Sequence, residues 1–235
     1  MSDWVLKGTD VSRWYGDGEV RVHALNGVSF EICPGEFVVV LGPSGSGKST
    51  LLNLLGGMDS ASGDELLYGE KNLSEMTALE LSSYRRDVVG FVFQFFHLIP
   101  TLTAKENVEL ASSITPGSRS ADEVLEMVGL AERKEHFPAQ MSGGEQQRVS
   151  IARAIVKNPS ILLCDEPTGA LDYETGKEVL QLLQDICQTQ GMTVMIITHN
   201  SALAPMAHKV IRFRSGKVAS EEINATPQPI ADIEW

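Results

Sequence analysis

The chain has 235 residues, of which 43% are hydrophobic, and a net charge of −12 from 19 Lys and Arg against 31 Asp and Glu. This acidic balance argues against a general nucleic-acid binder, which needs a basic excess to displace counterions from phosphates. No apolar run approaches the roughly 20 residues of a membrane span, and no signal peptide opens the sequence. The three cysteines are widely separated and odd in number, so we expect a cytosolic chain without a disulfide framework or a zinc site.

The first third of the chain alternates short apolar segments with glycine turns. Strands are predicted at 21–25 and 28–32, then at 37–41, and again at 65–68 and 88–94. The third of these segments is apolar throughout, which is typical of a strand buried on both faces.

A glycine-rich loop with the pattern G-x-x-x-x-G-K-[ST] follows the strand at 37–41, and a helix is predicted to follow it up to Leu55. This strand–loop–helix context is the one that a nucleotide phosphate-binding loop requires. Its small residues let backbone N–H groups wrap around phosphate oxygens, while Lys48 can neutralise the β- and γ-phosphates and Ser49 can bind Mg²⁺. We predict that nine residues bind the nucleotide: Gly42, Pro43, Ser44, Gly45, Ser46, Gly47, Lys48, Ser49 and Thr50.

The stretch from 95 to 159 changes to a helical pattern. Two glycines, Gly143 and Gly144, lie inside one of its predicted helix starts, although each weakens a helix by roughly 1 kcal/mol relative to alanine. We interpret them as a place where an anion approaches the backbone at a helix N-terminus. Three capping boxes are predicted to open helices in this stretch: Thr103-x-x-Glu106, Ser120-x-x-Glu123 and Ser142-x-x-Glu145.

Strands and helices alternate again in the last third. Strands are predicted at 161–164, 193–198 and 209–213, with a helix from about Tyr173 between the first two. Buried strands alternating with amphipathic helices indicate a mostly parallel sheet covered on both faces, hence an α/β fold. The tail from 224 contains two prolines, and we expect it to fray.

Two adjacent carboxylates, Asp165 and Glu166, end the apolar strand at 161–164. The carboxyl ends of strands are where α/β sheets bind ligands. Because adjacent residues of a strand point to opposite sides, one carboxylate can hold Mg²⁺ through water while the other polarises an attacking water. The plain alternative is a strand that runs into an acidic turn.

Together the phosphate loop, the segment ILLCDEP and the segment MSGGEQQR resemble the ATP-binding cassette family of transporter ATPases over nearly the whole chain. The resemblance implies a P-loop NTPase (RecA-like) core with a mostly parallel sheet, an N-terminal antiparallel β part and an inserted α-helical subdomain. It implies one domain, residues 1–235, in which core segments 1–94 and 160–223 enclose helical residues 95–159 and precede a flexible tail, 224–235.

The resemblance also implies roles for single side chains near the nucleotide. Glu166 would act as the general base or orient the attacking water, and His199 would contact the γ-phosphate. Gln94 would contact Mg²⁺ and the attacking water and would sense a membrane partner. Mg²⁺ would lie on Ser49, on Gln94 and, through water, on Asp165.

Other nucleotide contacts are implied around the second glycine-rich segment and near the N-terminus. Tyr15 falls where the family stacks an aromatic ring on adenine, but the neighbouring Trp14 is an open alternative. The remaining residues implied to contact the nucleotide are Ser142, Gly143, Gly144, Glu145 and Asp172.

One chain holds one phosphate loop and one signature segment, MSGGEQQR at 141–148. The resemblance therefore implies that two ATPase copies close around two ATP molecules, most simply as a homodimer. The motif text is most similar to the LolD/MacB/FtsE-like branch, whose ATPases act on FtsX/MacB-type permeases. The implied function is ATP hydrolysis at the cytoplasmic side of the inner or plasma membrane, driving export or extraction of a lipoprotein, peptide or hydrophobic compound.

Three other functions stay open at this point. An FtsE-like ATPase would transmit force to cell-division or cell-wall enzymes without transport. A solute-importer ATPase or a soluble nucleic-acid ATPase of the same superfamily is less favoured by the motif text and the acidic charge. The apolar segment 95–102 also has two interpretations: core of the helical subdomain, or a groove that receives a helix of a membrane partner.

Overall fold

The computed structural model of the chain describes residues 4–16, 21–61 and 65–234. Its strands are β1 Leu6–Tyr15, β2 Val22–Ile32, β3 Phe37–Leu41, β4 Glu65–Tyr68, β5 Lys71–Asn72, β6 Val89–Phe93, β7 Ile161–Asp165, β8 Thr193–Thr198, β9 Lys209–Arg214 and β10 Lys217–Ile223. Its α-helices are α1 Lys48–Leu55, α2 Ala78–Asp87, α3 Ala104–Ser112, α4 Ala121–Met127, α5 Gly143–Ile155 and α6 Tyr173–Gln190.

The main sheet has six strands in the order β10-β9-β3-β8-β7-β6. All neighbours in it are parallel except β10, which pairs with β9 in the antiparallel direction. The buried strand β3 supplies two cores, because Phe37, Val39 and Leu41 pack among the helices α3 to α6 while Val38 and Val40 pack toward α1 and the second sheet. The predicted mostly parallel sheet with both faces covered is confirmed.

The second sheet is antiparallel, with the order β2-β1-β4-β5, as the predicted N-terminal antiparallel part requires. The two strands predicted at 21–25 and 28–32 form one strand, β2, whose register against β1 shifts around Gly27, at φ +66°. The sequence pattern did not identify β1, since its hydrophobic residues do not alternate regularly. Its pairing with both β2 and β4 compensates for that weak pattern.

Two of the three predicted capping boxes are formed. The boxes that begin at Thr103 and at Ser142 have both reciprocal bonds. Ser120 does occupy the N-cap of α4, but its side chain makes no capping bond, so that predicted box is wrong although the helix begins where expected. A box that begins at Thr77 opens α2, a helix that the sequence analysis missed.

The tail from 224 was expected to fray, but its described residues are packed on the body of the protein. Ile230 is 1% exposed and Ile233 is 5% exposed, and both join the core on the α6 side of the main sheet. The buried Gln184 of α6 donates a hydrogen bond to Gln228 O at 3.0 Å and accepts one from Ile230 N at 3.2 Å. The segment that contains the two prolines is therefore docked, because apolar burial and the bonds from Gln184 hold it in place. Residue 235 lies outside the described residues.

Within the described ranges, none of the helices is both long enough and apolar enough to cross a membrane.

Candidate functional site

The glycine-rich loop turns sharply between β3 and α1. Gly45 and Gly47 have φ values of +74° and +104°, a backbone region that other L-residues rarely adopt. A Cβ on Gly47 would lie 2.4 Å from Ala24 O, and one on Gly42 would lie 2.5 Å from Phe213 O. Conformation therefore requires glycine at 45, space requires it at 42, and both reasons apply at 47.

The start of α1 is open to an anion. The N-cap residue, Gly47, offers no side chain to the first N–H groups of α1. The first turn of α1, all of whose residues the structure describes, contains no acidic residue. These unpaired N–H groups and the positive end of the helix dipole favour a phosphate at this position. Ser46 is 3% exposed and its hydroxyl has no partner among the described residues, so it too is available to a ligand of the loop.

Lys48 lies folded over the loop. Its Nζ donates to Gly42 O at 2.7 Å and to Pro43 O at 2.9 Å. Burial lowers the pKa of this ammonium, and the carboxylates of Glu166 and Asp165 act in the opposite direction. The charge is thus held by two carbonyl oxygens and two nearby acids, a position from which it can turn to a phosphate.

The two predicted carboxylates have different environments. Burial, and then the charge of Glu166, raise the pKa of Asp165, whereas a hydrogen bond from the Ser49 hydroxyl lowers it. Asp165 and Ser49 therefore form one pair of oxygen atoms beside the loop. Among the described residues, no group of three or more His, Cys, Asp or Glu is arranged to hold a metal ion by itself, so a metal here would complete its shell with other oxygens, as Mg²⁺ usually does with water and phosphate.

Glu166 follows β7 and is anchored to the end of β8. Its backbone has a φ of +45°, a costly conformation for a non-glycine residue, and its N–H donates to Ile197 O at 2.9 Å. Its carboxylate accepts the Thr198 hydroxyl at 2.9 Å, the His199 N–H at 3.0 Å and the His199 ring at Nδ1, 2.7 Å away. The His199 side chain itself is 74% exposed, so the pair combines a fixed carboxylate with an accessible imidazole.

Gln94, immediately after β6, lies in the same cavity as the loop and the two carboxylates. A Cβ on Gly169 would lie 2.8 Å from Gln94 Nε2, so the glycine leaves room for this amide. A cavity of about 750 Å³ unites the predicted residues 44–50 of the loop with Gln94, the two carboxylates and His199, whereas Gly42 and Pro43 do not line it. It is lined by Val22, His23, Ala24, Ser44, Gly45, Ser46, Gly47, Lys48, Ser49, Thr50, Gln94, Asp165, Glu166, Ile197 and His199.

Three lining residues that the sequence analysis missed, Val22, His23 and Ala24, lie at the start of β2. The pairing of β1 with β2 sets Val22 opposite Tyr15 and His23 opposite Trp14. Neither aromatic residue lines the cavity. The Tyr15 hydroxyl donates to Asp59 at 2.7 Å, and Arg13 lies over its ring. Stacking of Tyr15 on adenine therefore stays a prediction, and knowledge of the hairpin register would have been needed to find the β2 residues.

The signature segment is not part of this cavity. Ser142 and Glu145 bond to each other as a capping box, at 2.8 and 3.3 Å, and Arg133 lies 3.2 Å from the Glu145 carboxylate. The backbone bond from Ser142 holds the pKa of Glu145 below its usual range. Within one copy of the chain, the start of α5 therefore does not line the cavity at the phosphate loop.

The two glycines of this segment differ in how closely they are packed. A Cβ on Gly144 would lie 2.1 Å from Thr175 Cγ2, so this glycine is required by the close packing of α5 against α6. At Gly143 the nearest atom would be Leu171 Cδ2, at 3.3 Å, and packing is a weaker constraint. Asp172, predicted to contact nucleotide, caps α6 by accepting from the Thr175 N–H at 3.1 Å and the Thr175 hydroxyl at 2.7 Å.

Some residues of the apolar segment 95–102 pack in the core of the helical stretch, and others are exposed. Leu98 packs against the core of the helical stretch. Phe95 is 67% exposed and Ile99 is 37% exposed, so these side chains are available to a partner.

Comparison with known proteins identifies relatives over most of the chain. Residues 25–169 match the family described as "ABC transporter". The chain is 44% identical over 217 residues to the macrolide export ATP-binding/permease protein MacB of Marinobacter nauticus, covering 90% of this chain but 34% of that protein. It is 43% identical to an uncharacterized ABC transporter ATP-binding protein of Methanocaldococcus jannaschii, covering 91% of this chain and 97% of that one. The chain thus spans about a third of the length of the MacB relatives it matches.

Among solved structures, the chain is similar to an ATP-binding cassette of Methanocaldococcus jannaschii determined as a dimer in a post-hydrolysis state, bound to ADP and phosphate. The two chains are 42% identical, with a TM-score of 0.84, over 93% of this chain and 98% of that one. This agreement confirms the P-loop NTPase fold class that the motifs implied.

Proposed function

The chain belongs to the ABC transporter family, in which this domain is an ATPase coupled to transport, and we propose that two copies of it close around two ATP molecules to drive a separate membrane permease. The observation that carries the proposal is the single cavity that unites the phosphate loop, the Asp165–Glu166 pair, Gln94 and His199.

In this proposal the phosphates of ATP bind at the start of α1. Lys48 leaves the carbonyls of Gly42 and Pro43 and moves its charge to the β- and γ-phosphates. The N–H groups of the loop spread the remaining negative charge, and they need no reorganisation because the glycines already hold them in place. Tyr15 stacks on the adenine, beside the start of β2.

Ser49 and Asp165, with Gln94 nearby, are the residues that would hold Mg²⁺. Their oxygen atoms suit this ion, because Mg²⁺ prefers oxygen ligands. When bound, Mg²⁺ would neutralise charge that develops on the phosphates.

Glu166 is the proposed general base. Its bonds to Thr198 and His199 fix the direction of the carboxylate, so that it can receive a proton from a water aligned with the γ-phosphate. With Nδ1 bonded to Glu166, the imidazole of His199 offers its second nitrogen, Nε2, to the γ-phosphate as a donor when the ring is protonated.

The site is half of a complete one. Ser142, Gly143 and Gly144 do not line the cavity of their own copy, and we infer that they complete the cavity of a second copy. The dimeric structure of the 42% identical cassette, bound to ADP and phosphate, supports this arrangement.

The partner is proposed to be an FtsX/MacB-type permease in the inner or plasma membrane, which this chain would approach from the cytoplasmic side. The name of the MacB relatives, which combine an ATP-binding part with a permease, supports this choice over an importer. The cargo would then be a lipoprotein, a peptide or a hydrophobic compound moved outward. Purification from membranes with the bound integral protein, followed by its identification, tests this; an FtsE-type division complex would contradict it.

Replacement of the base tests the ATPase itself. Glu166→Gln keeps the size of the side chain but removes its basicity, so we expect kcat to fall at least about 100-fold while ATP binding persists. The variant should also form an ATP-dependent dimer on gel filtration. The matched control is Glu221→Gln, on the exposed strand β10, which should keep wild-type turnover. Wild-type turnover by Glu166→Gln would contradict the assignment.

A further inference from the structure

The chain leaves the main sheet after β6 and returns to it at β7. Arg153, near the end of α5, contacts the backbone just after β6, and Lys157, two residues beyond α5, contacts the backbone of α2, just before β6. The segment just after β6 contains an unusual turn. Phe96 and His97 have φ values of +32° and +48°, although neither is glycine, and the His97 N–H donates to Phe95 O across the turn. Such conformations cost about 1–3 kcal/mol each and persist only where surrounding contacts impose them.

Arg153 of α5 supplies those contacts. Its guanidinium donates from Nη2 to Phe96 O at 2.7 Å and from Nη1 to His97 O. The Arg153 side chain is half-buried, and this burial lowers its pKa. One turn and a half earlier on the same helix, the fully buried Gln147 donates to Phe93 O at 3.3 Å. The planar fork of an arginine presents two N–H groups at a fixed spacing to two adjacent carbonyls, whereas a lysine offers a single nitrogen on a flexible stem.

Lys157, four residues after Arg153, contacts the chain on the other side of β6. Its Nζ donates to Arg85 O at 2.6 Å, at the carboxyl end of α2. The Arg85 side chain in turn donates to Gly57 O, just beyond the carboxyl end of α1. A continuous line of contacts therefore joins the helix that begins at the phosphate loop to the helix that begins at Gly143.

We propose that Arg153 is a positioning residue that, together with Lys157, fixes the direction of α5 relative to the phosphate loop. This inference rests on the proposed function, in which the start of α5 must meet the nucleotide of a second copy. The 13 residues of α5 span about 20 Å, so a tilt of about 5° at its carboxyl end moves its start by nearly 2 Å. Displacements of that size in a catalytic arrangement can lower a rate by about 100-fold.

Arg153→Lys tests the proposal, because it keeps the charge but loses the fork. We expect kcat for ATP to fall about tenfold while KM stays within twofold, since the residues of the cavity are unchanged. In a Glu166→Gln background, the dissociation constant of the ATP-bound dimer should rise about tenfold, or about 1.4 kcal/mol. The matched control is Arg86→Lys, whose guanidinium pairs with the exposed Asp87; it should leave kcat and dimerisation unchanged.

A second substitution separates positioning from general damage. His97→Gly removes the cost of the left-handed backbone, so its addition to Arg153→Lys should restore kcat about threefold or more. Should Arg153→Lys fail to fold, Lys157→Met removes the bond to Arg85 O and should lower kcat at unchanged KM. Wild-type kcat and dimerisation in the single variants, or equal loss of ATP binding and turnover, would overturn the proposal. If the unmodified protein neither hydrolysed ATP nor dimerised with it, the proposed function itself would fail instead.

Discussion

Two helices of this chain, α1 and α5, begin with glycine-rich segments, but the two starts differ in what satisfies their N–H groups. The start of α1 has a glycine at its N-cap and no side-chain cap. The start of α5 is capped by its own residues, Ser142 and Glu145, and the hydrogen bonds among the described residues leave the N–H groups of Gly143 and Gly144 unused. The start of α1 therefore leaves its N–H groups for an anionic ligand. The start of α5 is capped by its own side chains and offers two further N–H donors, those of Gly143 and Gly144.

The glycines differ in the same way. Those at 45 and 47 are required by positive φ angles, which let the loop surround phosphates. Gly144 has no such angle and is required by the side chain of Thr175. A glycine in a motif can therefore serve a ligand, a conformation or a neighbouring helix, and only the packing distinguishes these reasons.

The largest effect should come from removing Lys48, the cation at the start of α1. Lys48→Ala leaves the phosphates without their closest positive charge, and we expect ATP hydrolysis to fall at least about 100-fold, with weaker ATP binding. Phosphate release and the binding of a fluorescent ATP analogue measure the two effects. Lys71→Ala, on an exposed strand, is the control and should match the wild type. An ATP affinity within twofold of the wild type would remove the contrast between the two helix starts.

Gly144→Ala tests the packing reason at the second helix start. The new methyl group meets Thr175, whose rotation is opposed by the bond from its hydroxyl to Asp172, so we expect a loss of about 1–3 kcal/mol in the free energy of unfolding. Thr175→Ser removes the clashing methyl but keeps the hydroxyl, and it should recover most of the loss in the double variant. Gly143→Ala, with more space, should cost less than Gly144→Ala. Urea denaturation measures all four; additive losses would contradict the contact.

The smallest effect concerns Lys157, two residues beyond the end of α5. Burial lowers the pKa of Lys157 from 10.5 to about 8, although Asp87 opposes the shift. Between these two values the unfolded chain binds more protons than the folded one, so the contribution of Lys157 to the free energy of unfolding rises with pH in this window. Below pH 8 the cost of burying the charge is fully present.

Lys157→Met removes this titration. The stability of the wild type relative to Lys157→Met should therefore rise by about 1 kcal/mol between pH 7.5 and pH 9.5, a figure reduced for the partial exposure of the side chain. Lys105→Met is the control, because a hydrogen bond to Asp122 raises the pKa of Lys105 and no such rise is expected. Parallel pH profiles for the wild type and Lys157→Met would show that the lysine is solvated.

Much of the fold was predictable because its strands are buried. The predicted strand 193–198 has the observed bounds of β8, and the apolar run at 37–41 has those of β3. The strand β1 and the docked tail were not predictable in this way. Their residues show no strong periodicity, and they are held by partners distant in the chain, such as β4 for β1 and Gln184 for the tail.

The sequence by itself determined the phosphate loop, the adjacent carboxylates and the family, because each depends on residue types at short, fixed spacing. Only the tertiary structure decided that Glu166 bonds His199, that Thr175 requires Gly144 and that Arg153 holds the turn at Phe96. These contacts join residues about 30 to 60 positions apart, and their geometry depends on how helices and strands pack. Local pattern specifies which groups are present, whereas packing specifies which groups meet.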